Sequence, residues 1–284
     1  GDSAIDIRTT KREINNTAGM KYVWRVPSAR QHQHDPRIRE RATHTAQKVF
    51  LTGAGGLIGS HFAEILQESE SIDPVFLVSG LTNSGEKLSS EAVITKNLAK
   101  ESSLDGLADE IYRRYGDIDV LVNNAAITTQ NGIQTFASDT SDKRIQDVFQ
   151  VNSIAALSLI RQFLVLPKPP SLVINILSRG AVAGGKRHVA YYASKAALLN
   201  ASWSLAMEYS QTRFVCLMVS QIARKDHRGV SLDLIGKALI DQIDGTSNRK
   251  NFETVFFLKP IEYWRYLLGY CYNLFRNSRN YGIK

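Results

Sequence analysis

The chain has 284 residues, 43% of them hydrophobic, and a formal net charge of +8. That is enough apolar material for one large α/β core, yet no run approaches the roughly 20 apolar residues of a membrane-spanning helix. The polar N-terminus lacks the apolar segment of a secretory leader, so a soluble, cytoplasmic protein is expected. Basic residues are scattered and thickest in 21–41 and 265–284, which argues against a nucleic-acid partner. Cys216 and Cys271 have no ligand neighbours and read as reduced packing residues. His32 and His34 have no further ligand cluster beside them, so no metal is expected.

In chain order, residues 1–46 form a polar extension with one apolar island at Tyr22, Val23, Trp24 and Val26. From 47 to 260, short β-rich runs alternate with helix-length amphipathic stretches, the pattern of parallel strands and crossover helices. The expected strands are 49–52, 75–79, 92–95, 120–123, 172–177, 214–219 and 254–258, giving a single doubly wound domain of about seven strands. Apolar residues at helical spacing predict helices over 145–164 and 191–209, the first ended by Pro167, Pro169 and Pro170. A distinct segment, 261–284, is aromatic and basic.

The stretch from Val49 through Ser60 reads as a strand, a glycine turn and a helix start. Gly53 suits a tight turn, Gly56 lets backbone amides approach a pyrophosphate, and Gly59 lets the helix pack closely. The helix N-terminus adds free N–H groups and the positive end of its dipole. At 123–126, Asn-Asn-Ala-Ala ends the fourth expected strand with small residues that allow a close approach.

Tyr191 and Lys195 are four residues apart on one expected helix, which puts them on one face about 6 Å apart. A phenol of reference pKa near 10 is a poor acid or base at neutral pH, and an adjacent ammonium would stabilise its phenolate. Thirteen residues before Tyr191, Ser178 ends an expected strand, where side chains face the cleft of an open α/β sheet. Asn152 sits inside an amphipathic helix, a position where an amide competes for backbone hydrogen bonds.

Together these motifs resemble the short-chain dehydrogenase/reductases over about residues 48–222. The resemblance implies a Rossmann-type fold and a hydride transfer between NAD or NADP and a carbonyl or secondary alcohol. It also implies roles for four residues. Ser178 would bind the substrate oxygen, Tyr191 exchange the proton, Lys195 tune Tyr191 and grip the nicotinamide ribose, and Asn152 hold a relay water. Cofactor contacts carried over are Gly53, Gly56, Leu57, Ile58 and Gly59 on the turn, and Ser79, Asn97 and Leu98 toward the adenosine. Asn124, Ala125, Ala126, Tyr191, Lys195 and Ile222 complete the set.

The chain departs from the family at several places. Its Thr-Gly-x-x-Gly-x-x-Gly spacing is similar to the longer, sugar-nucleotide-modifying branch, which leaves the branch open. Ser79 and its successors replace the usual ribose-binding acid, which favours NADP over NAD, although Lys87 is the nearest base. Ser220-Gln221-Ile222 stands where the family has Pro-Gly, and the following lid segment, 223–230, is short and polar. A homodimer or homotetramer is expected through the helices bearing Asn152 and Tyr191. The C-terminal segment suits an oligomer contact better than a membrane surface. The rivals are a sugar-nucleotide epimerase or dehydratase, for which only 89 residues follow Lys195, and a non-catalytic dinucleotide sensor.

Overall fold

Val49 and Leu51 bury their side chains on one face of a sheet and Phe50 on the other, as a strand covered on both sides requires. The structure, a computed structural model, describes residues 21–24, 46–79, 88, 92–128, 136–223, 229–245 and 251–257. Its strands are β1 (Lys21–Trp24), β2 (Gln47–Thr52), β3 (Ile72–Val78), β4 (Val93–Thr95), β5 (Val120–Asn123), β6 (Leu172–Ser178), β7 (Arg213–Val219) and β8 (Phe252–Phe257). The sheet order is β1-β8-β7-β6-β5-β2-β3-β4. Strands β2 to β8 are parallel, as the alternation of elements predicts, and form a Rossmann-type doubly wound sheet. The aromatic segment 261–284 and the expected end of the last strand at Leu258 lie outside the described residues.

The main helices are α1 (Leu57–Gln67), α2 (Leu107–Tyr115), α4 (Asp142–Phe149), α5 (Ala155–Leu164), α7 (Val189–Glu208) and α8 (Leu232–Ile243), with short turns α3 (Phe136–Asp139) and α6 (Gly180–Ala183). Helices α1 and α8 cover one face through Phe62, Leu66, Ile235 and Leu239. On the other face α2 and α5 pack Leu107, Ile111, Leu159 and Phe163 against Phe50, Leu121 and Phe214. The long helix expected over 145–164 is built from α4, a π-helical turn at Gln150–Ile154, and α5.

Two features differ from the sequence expectation. Pro74 lies inside β3, opposite Val49. It is tolerated because β4 begins pairing only at Phe76, so this end of β3 has one open side where no N–H is needed. The apolar island of the N-terminal extension is an eighth strand, β1, pairing antiparallel with β8 from Lys21 opposite Phe257 to Trp24 opposite Thr254. That strand takes the edge position beside β8, and its four residues make a short edge, which limits edge-to-edge pairing with other chains.

Candidate functional site

Chain direction out of the sheet reverses between β2 and β5, and ligands of open α/β sheets bind in the crevice beyond such a switch point. The glycine turn follows β2 and the Asn-Asn-Ala-Ala stretch follows β5, so both border that crevice. Gly53 has φ +68°, and a Cβ there would fall 2.7 Å from the Cα of Ala125. A Cβ on Gly59 would fall 2.0 Å from the Gly53 carbonyl oxygen. Gly56 meets nothing closer than 3.5 Å, so packing does not require it, and its free side is open to a ligand. Gly56 is also the N-cap of α1, which has no side-chain cap and no acid in its first turn. With exposed Leu57 and half-buried Ile58, this is an uncompensated helix N-terminus of the kind that suits a pyrophosphate.

Hydrogen bonds from Thr52 and Asn124 fix this cradle. Thr52 Oγ1 accepts from the N–H groups of Asn124 and Ala125, both at 3.1 Å. Asn124 Nδ2 donates to the carbonyls of Thr52 at 3.0 Å and Gly53 at 3.1 Å. The amide of Asn124 therefore shapes the turn, and the exposed Ala126 is the member of this stretch that faces outward. Toward the adenosine side, Leu98 is buried in the core, while Asn97 is exposed and its Oδ1 accepts from Ala99 N at 3.0 Å, leaving its Nδ2 outward. Ser79 is exposed just past the end of β3, and residues 80–87 lie outside the described residues.

Ser178 and Tyr191 come together. The Ser178 side chain lies near enough to the Tyr191 hydroxyl to act on its pKa, and Ser178 Oγ accepts from Gly180 N at 3.2 Å. Burial pushes the Tyr191 pKa up, and Ser178 opposes that rise. Lys195 lies one turn along α7 as expected, but its Nζ donates to the Ile176 carbonyl at 2.8 Å. Strand β5 ends opposite Asn175, so β6 runs past its partner and offers backbone acceptors there. Burial pulls the Lys195 ammonium down to about 8. Ser178 is the neighbour that lowers the Tyr191 pKa in this arrangement.

Asn152 is buried in the π-helical turn with both ends of its amide engaged. Its Oδ1 accepts from Ile127 N at 2.8 Å, and its Nδ2 donates to Ile127 O at 2.9 Å and Ser194 Oγ at 3.1 Å. The side chain thus pins the loop after β5 to α7, with both Nδ2 hydrogens used and one acceptor site of Oδ1 taken. A cavity of about 10 Å³ does lie beside it, lined by Thr52, Asn123, Asn152 and Lys195 among apolar groups. Asn123 donates to Asn175 Oδ1 at 2.9 Å, but its own buried Oδ1 has no hydrogen-bond partner. The cavity is at the lower limit of volume for one water, and its lining mixes polar with apolar side chains.

Several contributors carry no sequence signal of their own. Ser194 Oγ donates to Tyr191 O at 2.8 Å, and Ser153 Oγ donates to Ser194 O at 2.8 Å, locking α7 to the π-helical turn. Asn175 Nδ2 donates to Ser202 Oγ at 2.8 Å, and Ser202 is also bonded to the buried Cys216 thiol, which burial pushes up to about 12. At the far side, Ile222 forms a bridge with Val230. Ala223 N donates to Val230 O, and Val230 N to Gln221 O, both at 2.9 Å. These bonds leave the Ile222 N–H unused and pinch the expected lid segment at its base.

A family model described as short chain dehydrogenase matches residues 47–223. An uncharacterized short-chain type dehydrogenase/reductase of Sinorhizobium fredii is 27% identical over 60% of this chain, but the match spans only 31% of that relative's length. A ketoacyl reductase, HetN, of Nostoc is 33% identical over 58% of each chain. In fold, the chain is similar to a short-chain dehydrogenase from Streptomyces avermitilis, with a TM-score of 0.67 at 20% identity, covering 82% of this chain and 94% of that one.

Proposed function

The chain belongs to the short-chain dehydrogenase family, and on that premise we propose that it is an NAD(P)-dependent oxidoreductase acting on a carbonyl or secondary alcohol, with Tyr191 as its acid and base. The observation that carries the reading is the meeting of the Tyr191 and Ser178 side chains, close enough for Ser178 to lower the Tyr191 pKa, at the crevice that the glycine cradle borders. The cradle fits a dinucleotide: Gly53 and Gly59 are sterically required, Gly56 is open, and the α1 N-terminus is uncapped. When bound, the nicotinamide supplies or accepts the hydride.

The chain's own residues do the rest. Ser178 holds the substrate oxygen and keeps it within reach of Tyr191. A buried Tyr191 with a raised pKa is a neutral phenol at physiological pH, so it is ready to give its proton to a developing alkoxide. In the opposite direction its phenolate takes the alcohol proton. Lys195 would hold a ribose hydroxyl of the bound dinucleotide, and Asn152 acts by holding Ile127 and Ser194 in place. The relay water sits in the cavity between Asn123 and Lys195, where the Asn123 Oδ1 lacks a partner.

NADP is favoured over NAD because Ser79 leaves no carboxylate to repel a 2′-phosphate. The catalytic unit is a homodimer joined through α5 and α7. Ile154, in the turn just before α5, and Trp203 and Met207, on α7, expose their apolar side chains by 49%, 47% and 71%. The pinched Ile222–Val230 segment gives one observation in favour of a non-catalytic sensor. Fluorescence titration with NADPH and NADH, followed by a carbonyl panel, separates the two: turnover supports the enzyme, whereas tight binding without oxidation of NADPH across the panel supports the sensor.

A further inference from the structure

We infer that the turn of Lys186, Arg187 and His188 is a docking point for an anionic group on the substrate, placed outside the cleft at a fixed spacing from the reacting carbon. The inference rests on the reading of Ser178 and Tyr191 as the reacting pair. The chain leaves that pair at Ser178 and returns to it at Tyr191, and between them Gly180, Gly185 and His188 all pack on the Tyr192 ring, which keeps the turn beside the start of α7. Between Asp147 and Glu208 the chain carries no acidic residue, so this stretch supplies no internal counter-charge for the turn. Lys186 and Arg187 are exposed.

The turn is also held rigidly. The Tyr192 ring fills the space that side chains on two glycines would need: a Cβ would fall 2.0 Å from Tyr192 at Gly180 and 2.6 Å from it at Gly185. Tyr192 meets the His188 ring edge-on at 5.9 Å and the Tyr191 ring at 5.6 Å. Two ring contacts therefore link the basic turn to the reacting tyrosine, which sets the distance between an anion and a carbonyl bound by both. Tyr192 is a positioning residue in this arrangement.

Arg187 supplies an independent observation. Among the described residues it is the one non-glycine with positive φ, +71°. A glycine would fill that position without strain, as Gly184 does three residues earlier at φ +66°. A long cationic side chain kept at a strained position is characteristic of a functional turn. The guanidinium is suited to a carboxylate or phosphate, which it binds through two parallel hydrogen bonds.

The test uses the full chain with NADPH and two ketones of one skeleton, 9-oxodecanoate and its methyl ester, with calorimetric binding and turnover measured for each. The inference expects the anion to be preferred, and the preference to shrink as salt rises. Arg187→Gly relieves the backbone strain and so should fold at least as well as the parent. With Lys186→Ala beside it, the anion-over-ester ratio should fall about tenfold or more, the size of one lost charged hydrogen bond. A free phosphate source is tested by titrating inorganic phosphate as a competitor, which should displace the anion and not the ester. Equal binding of the two ketones by the parent, or a ratio untouched by the double variant, overturns the inference. Selective binding of the anion without turnover of either ketone supports the docking point and overturns the reading of the reacting pair.

Discussion

Lys195 Nζ donates to the carbonyl of Ile176 at 2.8 Å, so the buried ammonium rests on strand backbone and not on its helix neighbour Tyr191. Its pKa of about 8 lies below the ordinary 10.5 because burial disfavours the charged form. Between those values the unfolded chain binds a proton that the folded chain lacks, so stability should rise with pH across that window. The full difference is on the order of 3 kcal/mol. Urea unfolding of the parent and Lys195→Met from pH 7.5 to 10 should show a rising difference only when the lysine is present. Parallel curves would mean that Lys195 is not desolvated as described.

The Tyr191 pKa is raised by burial and held back by Ser178. Alcohol oxidation needs the phenolate, so its rate should climb through the alkaline range, while carbonyl reduction should stay flat until the phenol ionises. Ser178→Ala removes the opposing hydroxyl, and the alkaline limb of oxidation should move to higher pH along with a lower kcat. A limb that moves to lower pH in pH–rate profiles would contradict this role for Ser178.

Two glycines of one loop should fail differently. Gly59→Ala forces a methyl group to within 2.0 Å of the Gly53 carbonyl and should cost about 2 kcal/mol or more of stability. Gly56→Ala meets only an ordinary 3.5 Å contact, so its melting temperature should stay close to the parent's while dinucleotide binding weakens. Thermal melts with NADPH titrations distinguish a packing glycine from a ligand-facing one.

The proposed dimer contact runs along α7, where Met207 and Trp203 are exposed. Met207→Glu buries a charge in such a contact and should convert a dimer to monomer in light scattering at micromolar concentration. An unchanged mass would place the interface elsewhere.

Strands with strong apolar runs, such as 120–123, were legible to the residue, because a parallel strand buried on both faces needs a continuous apolar run. The glycine turn and the Tyr191 and Lys195 spacing were legible too, since backbone geometry ties them to local sequence. What was not legible depends on contacts distant in the chain. Four residues, Lys21–Trp24, are too few to announce a strand until β8 is there to pair with them. Asn152 reads as a helix liability, and only Ile127 and Ser194, 25 and 42 residues away, explain its amide. The direction taken by Lys195 depends on the Ile176 carbonyl, beyond the last residue of β6 that pairs with β5, and that register between two strands is not written in either one.

The central claim is that Tyr191 is the proton-transfer group of a dinucleotide-dependent carbonyl reduction. The direct measurement is NADPH-dependent turnover beside NADPH binding for the parent and for Tyr191→Phe, using a ketone the parent reduces. Loss of turnover by a factor of about a thousand or more, with NADPH affinity kept within a few-fold, is the expected result. Turnover retained by Tyr191→Phe at a comparable rate would contradict the account.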